Sequence, residues 1–298
     1  MKKILLSIAI SSCVFLLLKL LLPDLPNDEA SIKHFWLSKT FSGSEYDVVI
    51  AGDSRVYRGV SPNDLIDGLG NADMKAINLG YSSAGFSSAY LDFVKSKFDP
   101  NAKNKILVLG VTPHSLTTEA FKNEHLKSFL AYSQKEQFKL IHLYRLLKPF
   151  SPYKLSDITE GDQQNYQQNY TSSGWVASSY LVPDSALALE SYQKVFESYQ
   201  VRQEEVSLFI DEVKNLIKDH YTVIAFNPPS TVAMHQLEES MSGVDMEEVA
   251  KKLQGIGVHW LTFSPKAYNS YDGSHLDEKA AKKFSFEIGI RIRQILNQ

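Results

Sequence analysis

Val48-Val49-Ile50-Ala51-Gly52-Asp53-Ser54-Arg55 is the stretch on which the reading of this chain turns. Four apolar residues in a row, three of them β-branched, suit a short strand buried on both faces, and Gly52 and Asp53 end it in a turn. A helix following that turn would carry Ser54 at its N-terminus. Similar short apolar runs recur at Lys75 to Leu79, Ile106 to Val111, Tyr221 to Phe226 and Val258 to Phe263. Helical spacing fills the gaps late in the chain. Val206, Phe209, Ile210, Val213, Leu216 and Ile217 precede the Tyr221 run, and Ala281, Phe284, Ile288, Ile292 and Ile295 close the sequence. Alternating strands and amphipathic helices predict an α/β fold, a doubly wound parallel sheet covered on both faces. Sites in such sheets form at the carboxyl ends of the strands, which is where Ser54 falls.

The chain has 298 residues, 44% of them hydrophobic, enough to bury a substantial core. A net charge of -3, with no basic run interleaved with aromatics, excludes nucleic acid as the expected partner. The single cysteine, Cys13, rules out an internal disulfide and a thiolate metal site, and no histidine stands at metal-ligand spacing. No cofactor is expected. Residues 1–23 read as a membrane anchor: Lys2 and Lys3 precede the apolar run Ile4 to Leu22, and Pro23, Asp24, Pro26, Asp28 and Glu29 follow it. The run approaches the roughly 20 residues that span a bilayer, and its flanks place the body outside the cytoplasm, periplasmic or extracellular. Lys19 is close enough to the outer end to snorkel. No small-x-small cleavage site stands out, which favours an uncleaved anchor; Ile10-Ser11-Ser12-Cys13 keeps a lipid-attachment box open as the rival. Residues 24–45 read as a linker and 46–298 as the catalytic-type domain. Within it, about 115–200 breaks the strand and helix alternation and reads as an insertion over the sheet. Its middle is rich in Gln, Asn, Tyr and Ser around Trp175, either a cap over a carbohydrate or a surface loop with a structural tryptophan.

A serine at a helix N-terminus has backbone N–H groups and positive potential beside it, where an oxyanion would form. Its hydroxyl still needs a base, and the base an orienting acceptor. Tyr271-Asp272-Gly273-Ser274-His275-Leu276 supplies both: Asp272 and His275 fall within one turn ahead of the last helix. The carboxylate can then take one imidazole nitrogen and leave the other for Ser54. Arg55, next to the serine, is either a binder of an anionic substrate group or a core-capping residue.

Strand-Gly52-Asp53-Ser54, then Asn78-Leu79-Gly80 running to Gly85, then Asp272-x-x-His275, in that order, resemble the SGNH/GDSL hydrolase superfamily over about residues 46–298. The resemblance implies a flavodoxin-like sheet with Ser54 as nucleophile, His275 as base and Asp272 as its acid partner. It implies oxyanion donors at the backbone of Ser54 and of Ser83, with Gly80 as the fallback. Where the family carries an Asn after the third strand, this chain has Thr112, in Gly110-Val111-Thr112-Pro113-His114. Asn227 and His114 are the candidate substitutes. That departure, with the anchor, is similar to the branch of the superfamily that modifies cell-envelope polymers, as in alginate and peptidoglycan O-acetylation and teichoic-acid D-alanylation. The resemblance implies a serine esterase or O-acyltransferase acting on acetyl or related esters of an envelope glycan, partnered by a membrane-bound O-acyltransferase. A lipid or small-ester esterase, and a non-catalytic binding or assembly protein on the same scaffold, are the alternatives.

Overall fold

The computed structural model describes residues 2–21, 29–147 and 166–297. Five parallel strands form the central sheet in the order β2-β1-β3-β6-β7, with β1 Val48–Gly52, β2 Ala76–Asn78, β3 Ile106–Gly110, β6 Thr222–Phe226 and β7 His259–Leu261. This is the doubly wound, flavodoxin-like order in which the chain reverses direction across the sheet between β1 and β3. Both faces are buried, as the continuous apolar runs require. Val49, Ala51, Leu107, Leu109, Val223 and Ala225 face one core. Val48, Ile50, Ile106, Val108, Ile224 and Phe226 face the other, which the closing helix Glu278–Leu296 covers with Phe284, Ile288 and Ile292.

Register decides what happens at the top of the sheet. Gly52 pairs with Gly110, and Gly110 with Phe226. A Cβ on Gly52 would come within 2.4 Å of Val56 Cγ2, and one on Gly110 within 2.2 Å of the same atom. Two adjacent glycines therefore let the helix Ser54–Gly59 start directly over the strand ends. Gly52 also has φ 151°, a conformation side chains disfavour.

The expected insertion is built of the helices Thr118–Lys122, Glu124–Leu130 and Gln134–Leu147, an antiparallel hairpin of β4 Tyr166–Tyr170 and β5 Val176–Tyr180, and the helix Leu189–Ser198. Its residues 148–165 lie outside the described residues. Trp175 is buried, and its indole N–H donates to the carbonyl of Arg58 at 2.7 Å. It ties the hairpin to the helix that carries Ser54 and is not a face for stacking on sugars.

One N-terminal expectation meets a different outcome. Within 24–45, expected as a linker, Glu29–Phe41 is a helix. Phe35 and Leu37 bury themselves, and Trp36 packs edge-on against Tyr57 and Tyr81. Lys39 Nζ donates to the carbonyls of Gly80 at 2.6 Å and Gly174 at 3.0 Å. Aromatic burial and these hydrogen bonds fasten the helix to the domain. Lys2–Leu21 forms one helix, and most of the apolar side chains described along it are exposed, Ile4 and Leu5 among them. Among the described residues no helix is long and apolar enough to cross a membrane. Leu22, Pro23 and the side chains of residues 19 to 21, on which the reading of an anchor also rests, lie outside the described residues.

Candidate active site

Asp53 leaves β1 in an extended conformation and caps the following helix, its Oδ1 accepting the N–H of Arg55 at 2.9 Å. Ser54 is the first residue of that helix, and its own N–H makes no hydrogen bond among the described residues. From the other end of the chain, the turn 271–276 is closed by two bonds onto one carbonyl, that of His275, from Tyr271 N–H at 3.1 Å and from Ser270 Oγ at 2.7 Å. Asp272 Oδ1 accepts the N–H groups of Ser274 at 2.9 Å and His275 at 2.7 Å. This leaves Oδ2 for the imidazole. The result is one continuous chain: Asp272 Oδ2 to His275 Nδ1 at 2.7 Å, and His275 Nε2 to Ser54 Oγ at 2.9 Å. With Asp272 ionised, Nδ1–H donates to it, and Nε2 is then the acceptor for the serine hydroxyl.

The electrostatics favour that arrangement. Burial is the main force holding His275 below the usual histidine range, and Arg58 pushes it the same way, against the opposing pull of Asp272. Burial alone would raise Asp272, but the His275 side chain and the two turn N–H groups hold its carboxyl below the usual range. A neutral base facing a serine and an ionised orienter behind it are the protonation states that proton abstraction needs.

Arg55 is not open to a substrate. It is 2% exposed and gives Glu238 a two-point ion pair, Nη2 to Oε1 at 2.7 Å and Nη1 to Oε2 at 3.2 Å. Its Nε–H donates to Ser274 Oγ at 2.9 Å, and Ser274 Oγ in turn donates to the Tyr192 hydroxyl at 2.9 Å. The residue beside Ser54 therefore grips the residue between Asp272 and His275, a positioning contact.

The oxyanion donors expected from the resemblance fare unevenly. Thr112 is fully buried and spends its hydroxyl proton on Asp53 Oδ2 at 2.6 Å, while its oxygen accepts the N–H of Ser115 at 3.0 Å. It cannot also face Ser54. The N–H of Gly80 is bound to Asn78 Oδ1 at 2.9 Å, so the fallback is engaged as well. Ser83 is exposed with φ 52°, and its carbonyl accepts from Asn123 Nδ2 at 2.8 Å; no described contact joins it to Ser54 or His275. His114 lies edge-on to Tyr192 with Nδ1 4.0 Å from Asp53 Oδ2. The side-chain oxygen of Asn227 is buried without a partner among the described residues.

Arg58, Tyr271, Tyr166 and Tyr180 are the site residues the sequence reading missed. Arg58 stands one helical turn after Ser54, and that i,i+4 spacing was the available signal. Its Nη1 lies 3.4 Å from His275 Nε2 and donates to the Tyr271 hydroxyl at 3.2 Å. Tyr271 stacks on the His275 ring at 5.8 Å, and Tyr166 and Tyr180 of the hairpin lean on Tyr271 at 5.7 and 5.3 Å. Tyr166 and Tyr180 of the insertion thus back the Tyr271 phenol that covers the imidazole. A surface groove of about 630 Å³ lined by Thr118, Glu119, Lys122, Tyr199 and Arg202 includes neither Ser54 nor His275. Among the described residues no group of histidine, cysteine and acidic side chains could hold a metal ion.

Fold and site together define a doubly wound α/β protein with a hydrogen-bonded Ser–His–Asp chain at the carboxyl end of its first strand. No family model matches the sequence, and no curated protein does. A solved structure from Streptococcus pneumonia, described as "a putative platelet activating factor", is similar at 10% identity over 89% of this chain and 90% of that one, with a TM-score of 0.38.

Proposed function

We propose that the protein is a serine-dependent acyl-ester enzyme of the SGNH/GDSL type, hydrolysing or transferring acetyl or related acyl groups on a cell-envelope glycan. The single observation that supports it is the unbroken Ser54–His275–Asp272 hydrogen-bond chain, in protonation states suited to attack. Ser54 Oγ attacks the acyl carbon while its proton passes to His275 Nε2; collapse expels the alcohol, which takes that proton and leaves acyl-Ser54. Water or a sugar hydroxyl then gives a proton to His275 and takes the acyl group, and Ser54 Oγ leaves with that proton, restoring the neutral base. The phenol cover would keep water from the acyl-serine and so favour a sugar hydroxyl as acceptor. Attachment of the body to the outer side of a membrane through the Lys2–Leu21 helix, beside a membrane-bound acyltransferase that loads Ser54, completes the proposal.

A second reading, a binding or assembly protein on this scaffold, draws on the spent donors. Thr112 and Gly80 are both committed elsewhere, and loss of one oxyanion donor costs roughly a hundredfold in rate. One experiment separates the two. The full-length chain in detergent is treated with 4-nitrophenyl acetate beside Ser54→Ala, with mass spectrometry of the Ser54 peptide. Acetyl on Ser54, and turnover lowered about a thousandfold or more in the variant, are expected. Absence of acetylation, with folded protein and no difference between the two, would favour the binding reading.

A further inference from the structure

Arg58 is largely enclosed, yet its charge has no carboxylate partner among the described residues. Its cover is aromatic: the guanidinium carbon lies 5.1 Å from the Tyr57 ring centre and 5.9 Å from that of Tyr166. Nη1 contacts only neutral groups, the Tyr271 hydroxyl and His275 Nε2, and Nε is buried with no hydrogen-bond partner. Asp272 stands on the far side of the imidazole, committed to Nδ1 and to two backbone N–H groups. Arg55, by contrast, has a carboxylate of its own in Glu238. An enclosed guanidinium without an ion pair is costly unless something brings it a counter-charge.

Position says what that something is attached to. In acyl chemistry through a Ser–His pair, the leaving or incoming oxygen passes the imidazole nitrogen that served the serine. Arg58 Nη1 sits 3.4 Å from that nitrogen, so it meets the alcohol side of the ester and not the acyl side. Proton transfer to His275 also creates an imidazolium beside this cation, which is repulsive unless an anion lies between or beside them. Asp272, Arg55, Arg58 and Tyr271 are the charged and titratable groups around that ring.

We propose that Arg58 is the floor of an anion subsite, and that the substrate carries a carboxylate or phosphate on the alcohol moiety next to the ester oxygen. This rests on the proposed acyl chemistry but names the charge of its substrate. Bound there, the anion pairs with the guanidinium and cancels the repulsion on the forming imidazolium, so substrate charge assists the base.

The test compares acetyl esters of glucose, glucuronate and glucose 6-phosphate on the full-length chain, wild type beside Arg58→Gln and Arg58→Lys. Calorimetric binding of the three unesterified sugars, with Ser54→Ala included, supplies a readout that needs no turnover. Expected is a kcat/KM preference of about tenfold or more for one anionic ester over the glucose ester, as a charged hydrogen bond provides. That ratio falls to near one in Arg58→Gln and recovers in part in Arg58→Lys. The favoured anionic ester distinguishes carboxylate from phosphate. Equal rates on all three esters in the wild type overturn the subsite while leaving the acyl chemistry standing. No acetyl-Ser54 together with Arg58-dependent binding of an anionic sugar overturns the acyl chemistry and keeps the subsite. No anion-dependent binding in the wild type overturns the subsite whichever way the acetylation falls.

Discussion

His275 carries opposite influences on its two nitrogens: a carboxylate on Nδ1 and, on Nε2, a serine hydroxyl with a guanidinium close behind. Burial and Arg58 together outweigh Asp272, so the ring stays neutral to lower pH than an ordinary histidine. Under the proposed chemistry the base must be neutral, and the ascending limb of kcat/KM against pH is expected below the usual histidine value of about 6.5. Removing the cation in Arg58→Gln raises the imidazole pKa, so the limb should move to higher pH. A profile of 4-nitrophenyl acetate turnover between pH 4 and 9 checks the direction; a limb that stays put would mean the Arg58 charge is not felt at Nε2. The three residues of the chain were legible in the sequence because each sits in a local signal: a serine at a strand end, and an acid and a histidine in one turn. Arg58 was harder to see. Its role depends on Tyr271 and His275, more than 200 residues away, and only its one-turn spacing from Ser54 is local.

At the scale of elements, the site is a joint between the helix Ser54–Gly59, the turn 271–276 and the helix Val232–Met241, tied by Arg55 to Ser274 and Glu238. Glu238→Gln breaks a buried ion pair and leaves the guanidinium without its counter-charge, expected to cost about 3–5 kcal/mol of stability. It should also loosen the grip on Ser274, lowering turnover more than binding. Replacing both partners by apolar residues, Arg55→Met with Glu238→Leu, should recover much of the stability without restoring turnover. Urea titration of the single and double variants measures the first, and kcat against KM the second. No sequence pattern announces this joint, because its partners lie 183 and 219 residues apart. The sheet strands were readable for the opposite reason, since a strand buried on both faces writes its burial into consecutive residues. The helix Glu29–Phe41 escaped because Phe35, Trp36 and Leu37 are contiguous instead of spaced at helical period, and only the aromatic cluster they join explains them.

Across the whole molecule, burial of titratable groups sets opposite limits on stability. His275, His114 and His235 are all held below their ordinary range, burial being the largest cause for each. Above pH ~6.5 they are neutral folded or unfolded; as pH falls below it, the unfolded chain takes up protons that the folded one refuses, and stability is lost. Tyr81 and Tyr170 are pushed up to about 12, and burial raises Tyr90 and Tyr271 further. Their sign is reversed in pH. Below ~10 they are neutral in both states, and as pH rises past it the unfolded chain releases protons that the folded one keeps. Lys97 and Lys39 work against the alkaline loss, because burial pushes the Lys97 ammonium down to about 8 and that of Lys39 well below its usual range, so from about 8 to ~10.4 folding gains as pH rises. The four phenols outnumber the two lysines once pH passes ~10.4, above which the lysines add no further change. Thermal unfolding followed by far-UV circular dichroism from pH 4.5 to 11 should therefore trace a dome that still climbs between about pH 8 and 10, where the buried lysines act and the phenols do not yet. It should slope down below about 6.5 and again above about 10, by up to ~1.4 kcal/mol per pH unit for each fully buried group. A melting temperature that held steady from pH 6.5 down to 4.5 would mean that these imidazoles accept protons in the folded state, and with that the neutral base facing Ser54 would be lost.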